Sequence, residues 1–309
     1  MSTAKHSRLG ALLAAGTVST LLLAGCASSN PLEDDNPAGG ESSRENDDTT
    51  IVVGSQEYYS NEIIAEIYAQ ALEDAGFDVE REFSIGQRDA YMPAIEDGDI
   101  TVFPEYTGNL LEYFDPSATA TAPDEVYAAL QEVLPEGLTV LEYAPATDQD
   151  TYTVTTEFAD QYDLTTIADL AEVDVALTIG AAPEFEERPY GPAGAKETYG
   201  VDVAFSATGP TTLEDLLAGT VNIADIYSAD PAFETEDIVA LEDPENLILA
   251  SNVVPLVQAD IADEIADVLN AVSAALTPEA LVALNVQSTV DQESTEDIAE
   301  AWLEENGLN

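Results

Sequence analysis

Side chains able to do covalent or metal chemistry are scarce in this sequence. The 309-residue chain has one cysteine, Cys26, and one histidine, His6. The rest therefore offers no Cys–His or Ser–His pair for nucleophilic catalysis, no imidazole metal ligand and no internal disulfide. Carboxylates are plentiful, with 62 Asp and Glu, but no spacing among them argues for paired acid–base work. Glu96-Asp97-Gly98-Asp99 lacks the later ligands of a calcium loop and reads as a solvated turn. What remains is recognition chemistry, built from 13 tyrosines and very few cations. Setting aside Lys5 and Arg8 near the start leaves Arg44, Arg81, Arg88, Arg188 and Lys196. Arg188 stands in the aromatic-containing run Glu184-Phe185-Glu186-Glu187-Arg188-Pro189. Its guanidinium is a rigid donor fork that matches a carboxylate, as a lysine does not. A structural ion pair with Glu184 or Glu187 is the alternative use for it.

The balance of 62 acids against 7 Lys and Arg gives a formal net charge of −55. Phosphate binding needs clustered basic residues, so no nucleic-acid partner is expected. An anionic membrane surface would repel such a body as well. Salt screens repulsion of this kind, with a Debye length of about 3 Å at 1 M. The acidity thus reads as adaptation to a salty exterior, or simply as high solubility outside the cell.

Residues 1–26 have a basic start (Lys5, His6, Arg8), an apolar run from Leu9 to Leu23, and the ending Leu23-Ala24-Gly25-Cys26. That layout is a secretory signal, and the ending looks like a bacterial lipobox whose Cys26 is acylated. The alternative, an uncleaved span, meets a run that is short against the ~20 residues a span needs. Residues 27–50 carry Pro, Gly, Ser and acids without apolar periodicity and read as a disordered acidic tether. From Ile51 short β-like runs alternate with helical patterns. Ile51–Gly54 reads as a strand, followed by an amphipathic helix through Ile63, Ile67 and Ala71 that ends at Gly76. Asp99–Phe103, Thr151–Thr155, Val175–Ile179 and Val221–Ile226 read as further strands, and Asp124 as the N-cap of a helix over 125–134. The stretches 261–276, 278–286 and 295–303 are helical in pattern. The expected fold is α/β, with two lobes each built on a mainly parallel sheet flanked by helices.

Four segments arrive in order: Gly54-Ser55-Gln56-Glu57-Tyr58-Tyr59-Ser60-Asn61-Glu62; Gly98-Asp99-Ile100 through Pro104-Glu105-Tyr106-Thr107-Gly108-Asn109; the Arg188 run; and Ala224-Asp225-Ile226-Tyr227-Ser228-Ala229-Asp230-Pro231. Together they resemble the quaternary-amine branch of ABC substrate-binding proteins, which captures glycine betaine, proline betaine, choline or carnitine. The resemblance covers roughly Ile51 to Gly307, and the second and fourth segments are its most specific parts. It implies a two-lobed periplasmic-binding-protein-like clamp of type II topology, crossed twice by the chain. Lobe I would comprise 51–147 and 252–309, and lobe II 148–251, with hinges near Ala144-Pro145 to Asp148 and near Ala250-Ser251. It also implies a pocket. Gln56 matches a position that is often Lys, Tyr106 and Tyr227 match cage aromatics, and Asn109 matches a polar carboxylate-binding position. Asp150 and Tyr152 match a polar and aromatic pair after the crossing, and Arg188 the carboxylate-binding arginine. Leu249-Ala250-Ser251 stands where relatives often carry an aromatic, so Tyr58, Tyr59 or Tyr190 would complete the cage. Arg88 is a further candidate, either for the cleft or for structural pairing.

A trimethylammonium group has no N–H donor, so aromatic faces recognise it, at about 0.5–2 kcal/mol per ring. The expected role is capture of a compatible solute and its delivery to a membrane permease and its ATPase. Such a protein is neither an enzyme nor a cofactor binder, is monomeric, and is held on the outer face of the cell membrane by lipid on Cys26. A different zwitterion or choline-type compound, an amino acid, a solute sensor and a carboxylate hydrolase are the competing readings.

Overall fold

The structure is a computed structural model that describes residues 50–309. The Cys26 lipidation, the tether up to Thr49 and Arg44 lie outside the described residues. The first sheet begins with β1 (Ile51–Gly54), and α1 (Tyr59–Asp74) returns the chain to β2 (Val79–Glu82). Helix α2 (Arg88–Glu96) precedes β3 (Val102–Tyr106), after which α3 (Thr107–Phe114) and α4 (Pro123–Val133) lead to β4 (Leu138–Val140). The chain then enters a second sheet through β5 (Tyr152–Thr155) and α5 (Thr156–Tyr162). It continues through β6 (Leu177–Ala181), α6 (Pro192–Tyr199), β7 (Val203–Ala207), α7 (Thr212–Leu217), β8 (Ile223–Asp225), α8 (Ala232–Thr235) and β9 (Ile238–Ala240). It comes back as β10 (Val253–Gln258) and finishes with α9 (Ala262–Ala275), α10 (Pro278–Thr289) and α11 (Thr295–Asn306).

The strand orders are β2-β1-β3-β10-β4 and β7-β6-β8-β5-β9, two five-stranded sheets in a two-lobed α/β fold. Each sheet is more mixed than the expected mainly parallel arrangement. In the first, β1 pairs in parallel with β2 and β3, while β10 is antiparallel to both β3 and β4. In the second, β6 pairs in parallel with β7 and β8, while β5 is antiparallel to β8 and β9. The reason is topological: β5 and β10 arrive from the opposite lobe rather than over a helical crossover, so they run against their neighbours.

Helix α1 shows how the core forms. Ile63, Ile64, Ile67, Tyr68, Ala71 and Leu72 recur on its buried side and pack with residues of β1, α9, α10 and α11, and the turn after it uses Gly76 at φ +95°. A second apolar layer on the same lobe joins Tyr91, Met92, Phe103, Leu110 and Leu256. The other lobe is centred on Tyr152, Val154, Ile179, Phe185 and Ile223. Two of the element ends that differ from expectation have a plain physical reason. Helix α4 starts at Pro123, whose missing N–H is harmless at a first helical position. Asp124 is therefore inside the helix and instead accepts a hydrogen bond from the Tyr143 hydroxyl. Strand β3 begins at Val102, because Asp99 to Thr101 form the approach from the Gly98 turn. Among the described residues no single helix is long and apolar enough to cross a membrane.

Candidate functional site

The end of β3 builds one wall of a cleft between the sheets. Pro104 has no N–H, and β1 pairs with β3 only at Val53 and Val102, so no ladder donor is missed beyond that point. The Pro104 carbonyl accepts from the buried Asn61 amide at 2.8 Å, and Asn61 Oδ1 accepts from the Gln56 N–H at 2.9 Å. A single buried side chain thus fixes the β1–α1 loop, with Gln56 and Tyr58, against the strand that presents Tyr106. Glu105 points the other way and is fully buried. It receives Arg88 Nε at 2.9 Å and Nη2 at 2.8 Å, the Tyr91 hydroxyl at 2.6 Å and the Tyr106 N–H at 3.0 Å. A buried carboxylate needs such donors to remain ionised.

Gly108 explains the next step of the motif. A Cβ there would stand 2.5 Å from the Ala250 carbonyl oxygen and 2.8 Å from Leu249 Cγ. Only glycine lets α3 lie against the returning crossover segment. The two crossovers run side by side: Thr147 and Asn252 form an isolated antiparallel bridge, Asp148 N–H donates to Ser251 O at 3.1 Å, and Ser251 N–H donates to Gln149 Oε1 at 3.1 Å. From lobe II, a short 3-10 turn over Pro183–Glu187 carries Arg188 and Tyr190 to the cleft. Gly194 lets α6 pack on that turn, since a Cβ would fall 1.8 Å from the Pro189 oxygen.

The result is a cavity of about 300 Å³. Of the candidates from sequence, Gln56, Tyr106, Asn109, Asp150, Arg188 and Tyr227 line it, as do Arg88 and Tyr190. Tyr152 does not. It shares the core face of β5 with Val154 by strand alternation, is fully buried, and donates its hydroxyl to the Tyr190 carbonyl at 2.7 Å. It positions Tyr190, whose own hydroxyl donates to Asp150 Oδ2 at 2.9 Å. Tyr59 is likewise outside the wall: it packs on the lobe I core, and its neighbour Tyr58, 4.8 Å away between ring centroids, faces the cleft. Arg88 reaches the wall with its guanidinium committed to Glu105.

Arg188 differs from every other described cation. Arg81 pairs with Glu66 and Glu73, Arg88 with Glu105, and Lys196 with Asp202. Among the described residues, Arg188 is the basic side chain with no ion pair, and neither Glu184 nor Glu187 claims it.

The sequence reading missed three lining residues of consequence: Asp148, Asp225 and Phe185. Asp225 and Phe185 sit inside the motif segments and Asp148 at the expected hinge, each within three positions of a residue that was singled out, and the acidity of the whole chain hides individual carboxylates. Burial pushes the Asp148 carboxyl up to about 6, against the stabilising Tyr58 hydroxyl and Ala229 N–H, with Asp230 and Asp150 raising it further. Burial first and the neighbouring Asp150 second push Asp225 up to about 8, with Arg188 pulling the other way. Asp225, protonated, can donate a hydrogen bond to the neighbouring Asp150 carboxylate. Tyr106 is buried, and its hydroxyl has no hydrogen-bond partner. No group of three or more metal-ligating side chains occurs among the described residues. Chemically, the site combines aromatic faces, carboxylates and one uncommitted guanidinium, an arrangement suited to holding a small charged solute.

Residues 49–305 match the family described as the substrate binding domain of ABC-type glycine betaine transport systems. The glycine betaine-binding protein YehZ of Escherichia coli (strain K12) is 24% identical over 273 residues, covering 82% of this chain and 90% of that protein. The solved apo YehZ structure superposes with a TM-score of 0.74 at 25% identity, over 84% of this chain and all of that one. The crystal structure of a glycine betaine/carnitine/choline ABC transporter has the same fold, with a TM-score of 0.76 at 18% identity over 84% and 99% of the two chains.

Proposed function

The chain belongs to the family of substrate-binding domains of ABC-type glycine betaine transport systems, and from that premise we propose that it captures a compatible solute of the glycine betaine class and hands it to a membrane permease. The family is one of transport proteins, not of enzymes. In this reading lobe I comprises 51–147 with 252–309 and lobe II 148–251, and closure of the lobes about the paired crossovers encloses the ligand. Tyr58, Tyr106, Tyr190 and Tyr227 receive the cationic head on their ring faces. Arg188 takes the carboxylate, with Gln56 and Asn109 as polar supports. The protein acts outside the cytoplasm as a monomer, held to the membrane by lipid on Cys26, with residues 27–50 giving it reach.

The observation that carries the proposal is the free Arg188 guanidinium in an aromatic cleft. In a protein so rich in carboxylates, an arginine left without a partner at a cavity wall is set for an anionic group from outside. Ring contacts and a bidentate Arg–carboxylate pair supply a useful share of the roughly −8 kcal/mol that micromolar capture needs. The test is isothermal titration calorimetry with glycine betaine in about 1 M salt, which screens the surface repulsion. Micromolar or tighter binding that is lost in both Tyr106→Ala and Arg188→Ala supports the reading. A folded protein that ignores betaine, carnitine and choline alike refutes it.

A further inference from the structure

Asp148 is the cleft residue for which a trimethylammonium ligand has no answer. It lies on the first crossover, its backbone N–H is tied to Ser251 O at 3.1 Å, and its side chain lines the cavity. Its Oδ1 is buried and has no hydrogen-bond partner. The basic groups of the cleft do not serve it, since Arg88 is paired with Glu105 and Arg188 acts on Asp225 from the lobe II side. The charges felt by Tyr58, Tyr59, Tyr106 and Tyr227 all include that of Asp148, so this carboxylate sits among the tyrosines that would surround a cationic head. The Tyr106 hydroxyl beside it is also unpartnered.

A quaternary ammonium approaching this corner satisfies the charge of Asp148 but presents only methyl groups. A buried acceptor left without a donor is costly, and a site built to receive a donor discriminates strongly against an analogue that lacks it. We propose that the preferred ligand carries an N–H or O–H donor at or beside its cationic end, and that Asp148 is the residue that selects it. The chemical class is then a zwitterion with a tertiary or otherwise protonated nitrogen, or with a hydroxyl next to the quaternary centre, rather than a plain trimethylammonium acid. This inference rests on the reading of the cleft as a solute site and narrows it.

N,N-dimethylglycine and glycine betaine form the sharpest pair of probes, because they differ by one N–H in place of one N–CH₃. Calorimetry on the same purified protein at pH 7.5 is expected to give dimethylglycine an affinity at least tenfold above that of glycine betaine. In Asp148→Ala, which removes the acceptor oxygen that asparagine would keep, with its fold checked by circular dichroism, the ratio of the two affinities should fall to about one. Equal or tighter binding of glycine betaine by the parent protein overturns the inference while leaving solute capture standing. A preference that survives Asp148→Ala removes Asp148 as its source. Failure of both probes, and of choline and carnitine, brings down the functional reading and this inference with it.

Discussion

Replacing Asp148 by asparagine should make the empty protein more stable, and by an amount that depends on pH. The carboxyl rises from 3.8 to about 6 on folding, about 2 pK units, or about 3 kcal/mol when the group is fully ionised. A folded pKa above the unfolded one means that the contribution to stability is present below pH ~4 and is lost as pH rises through 6. At pH 8 the parent therefore carries the whole penalty of about 3 kcal/mol, and at pH 5 only about half of it. Asparagine has no charge to bury at either pH. Urea unfolding of the two proteins at pH 5 and pH 8, in matched high salt, should show a stability gap in favour of the variant that roughly doubles between the two conditions. In a chain of this size the gap at pH 8 corresponds to a rise in Tm of roughly 6–12 °C. An equal gap at both pH values, or a less stable variant at pH 8, refutes the claim that a buried charge is held here at a cost. The expected pH-dependent gap instead marks Asp148 as a site where stability is given up for recognition.

Arg88→Met should destabilise the protein by about 3–5 kcal/mol in denaturant titrations, since it strands the Glu105 carboxylate in the core; adding Glu105→Leu should recover much of the loss. Gly108→Ala should cost about 1–3 kcal/mol and also weaken solute binding, because the added methyl pushes against the Ala250 carbonyl and so against the crossover; equal affinity in parent and variant would show that the two are uncoupled. Glycine betaine affinity should follow a bell in pH. It falls as pH drops below about 6, where Asp148 protonates and ceases to attract the cationic head, and it falls again above about 8, where Asp225 loses its proton beside the ligand carboxylate; calorimetry from pH 5 to pH 9 that gives a flat profile excludes both roles.

Much of the candidate site was legible because the residues that carry it lie in short segments whose backbone geometry is demanding. Pro104, Gly108 and Pro189 restrict what the chain can do locally, so the tyrosines and the arginine beside them are placed by the same constraints. Tyr106 and Arg188 were readable for that reason. Tyr152 misled because an aromatic in register with a cleft residue can face either side of its strand, and one residue of alternation decides between core and cavity. Tyr58 and Tyr59 pose the same problem at the start of a helix. Asp148 and Asp225 were invisible for a different cause: against 62 acids, a carboxylate is noticed only when its burial is known. The parallel part of each sheet follows from the strand–helix alternation, whereas the antiparallel strands β5 and β10 depend on where the chain crosses, which no local pattern records.

The insertion of β10 between β3 and β4 also sets an order of events during folding. Lobe I cannot close its sheet with what the first half of the chain supplies. Val140 and Tyr106 must wait for Leu256 and Val253, which emerge only after the whole of the second sheet. The second sheet, by contrast, draws all five strands from one unbroken stretch, Tyr152 to Ala240. Contacts so distant in sequence slow the search for the native state. Lobe I's sheet therefore stays incomplete until β10 arrives, while lobe II can close its own sheet without it.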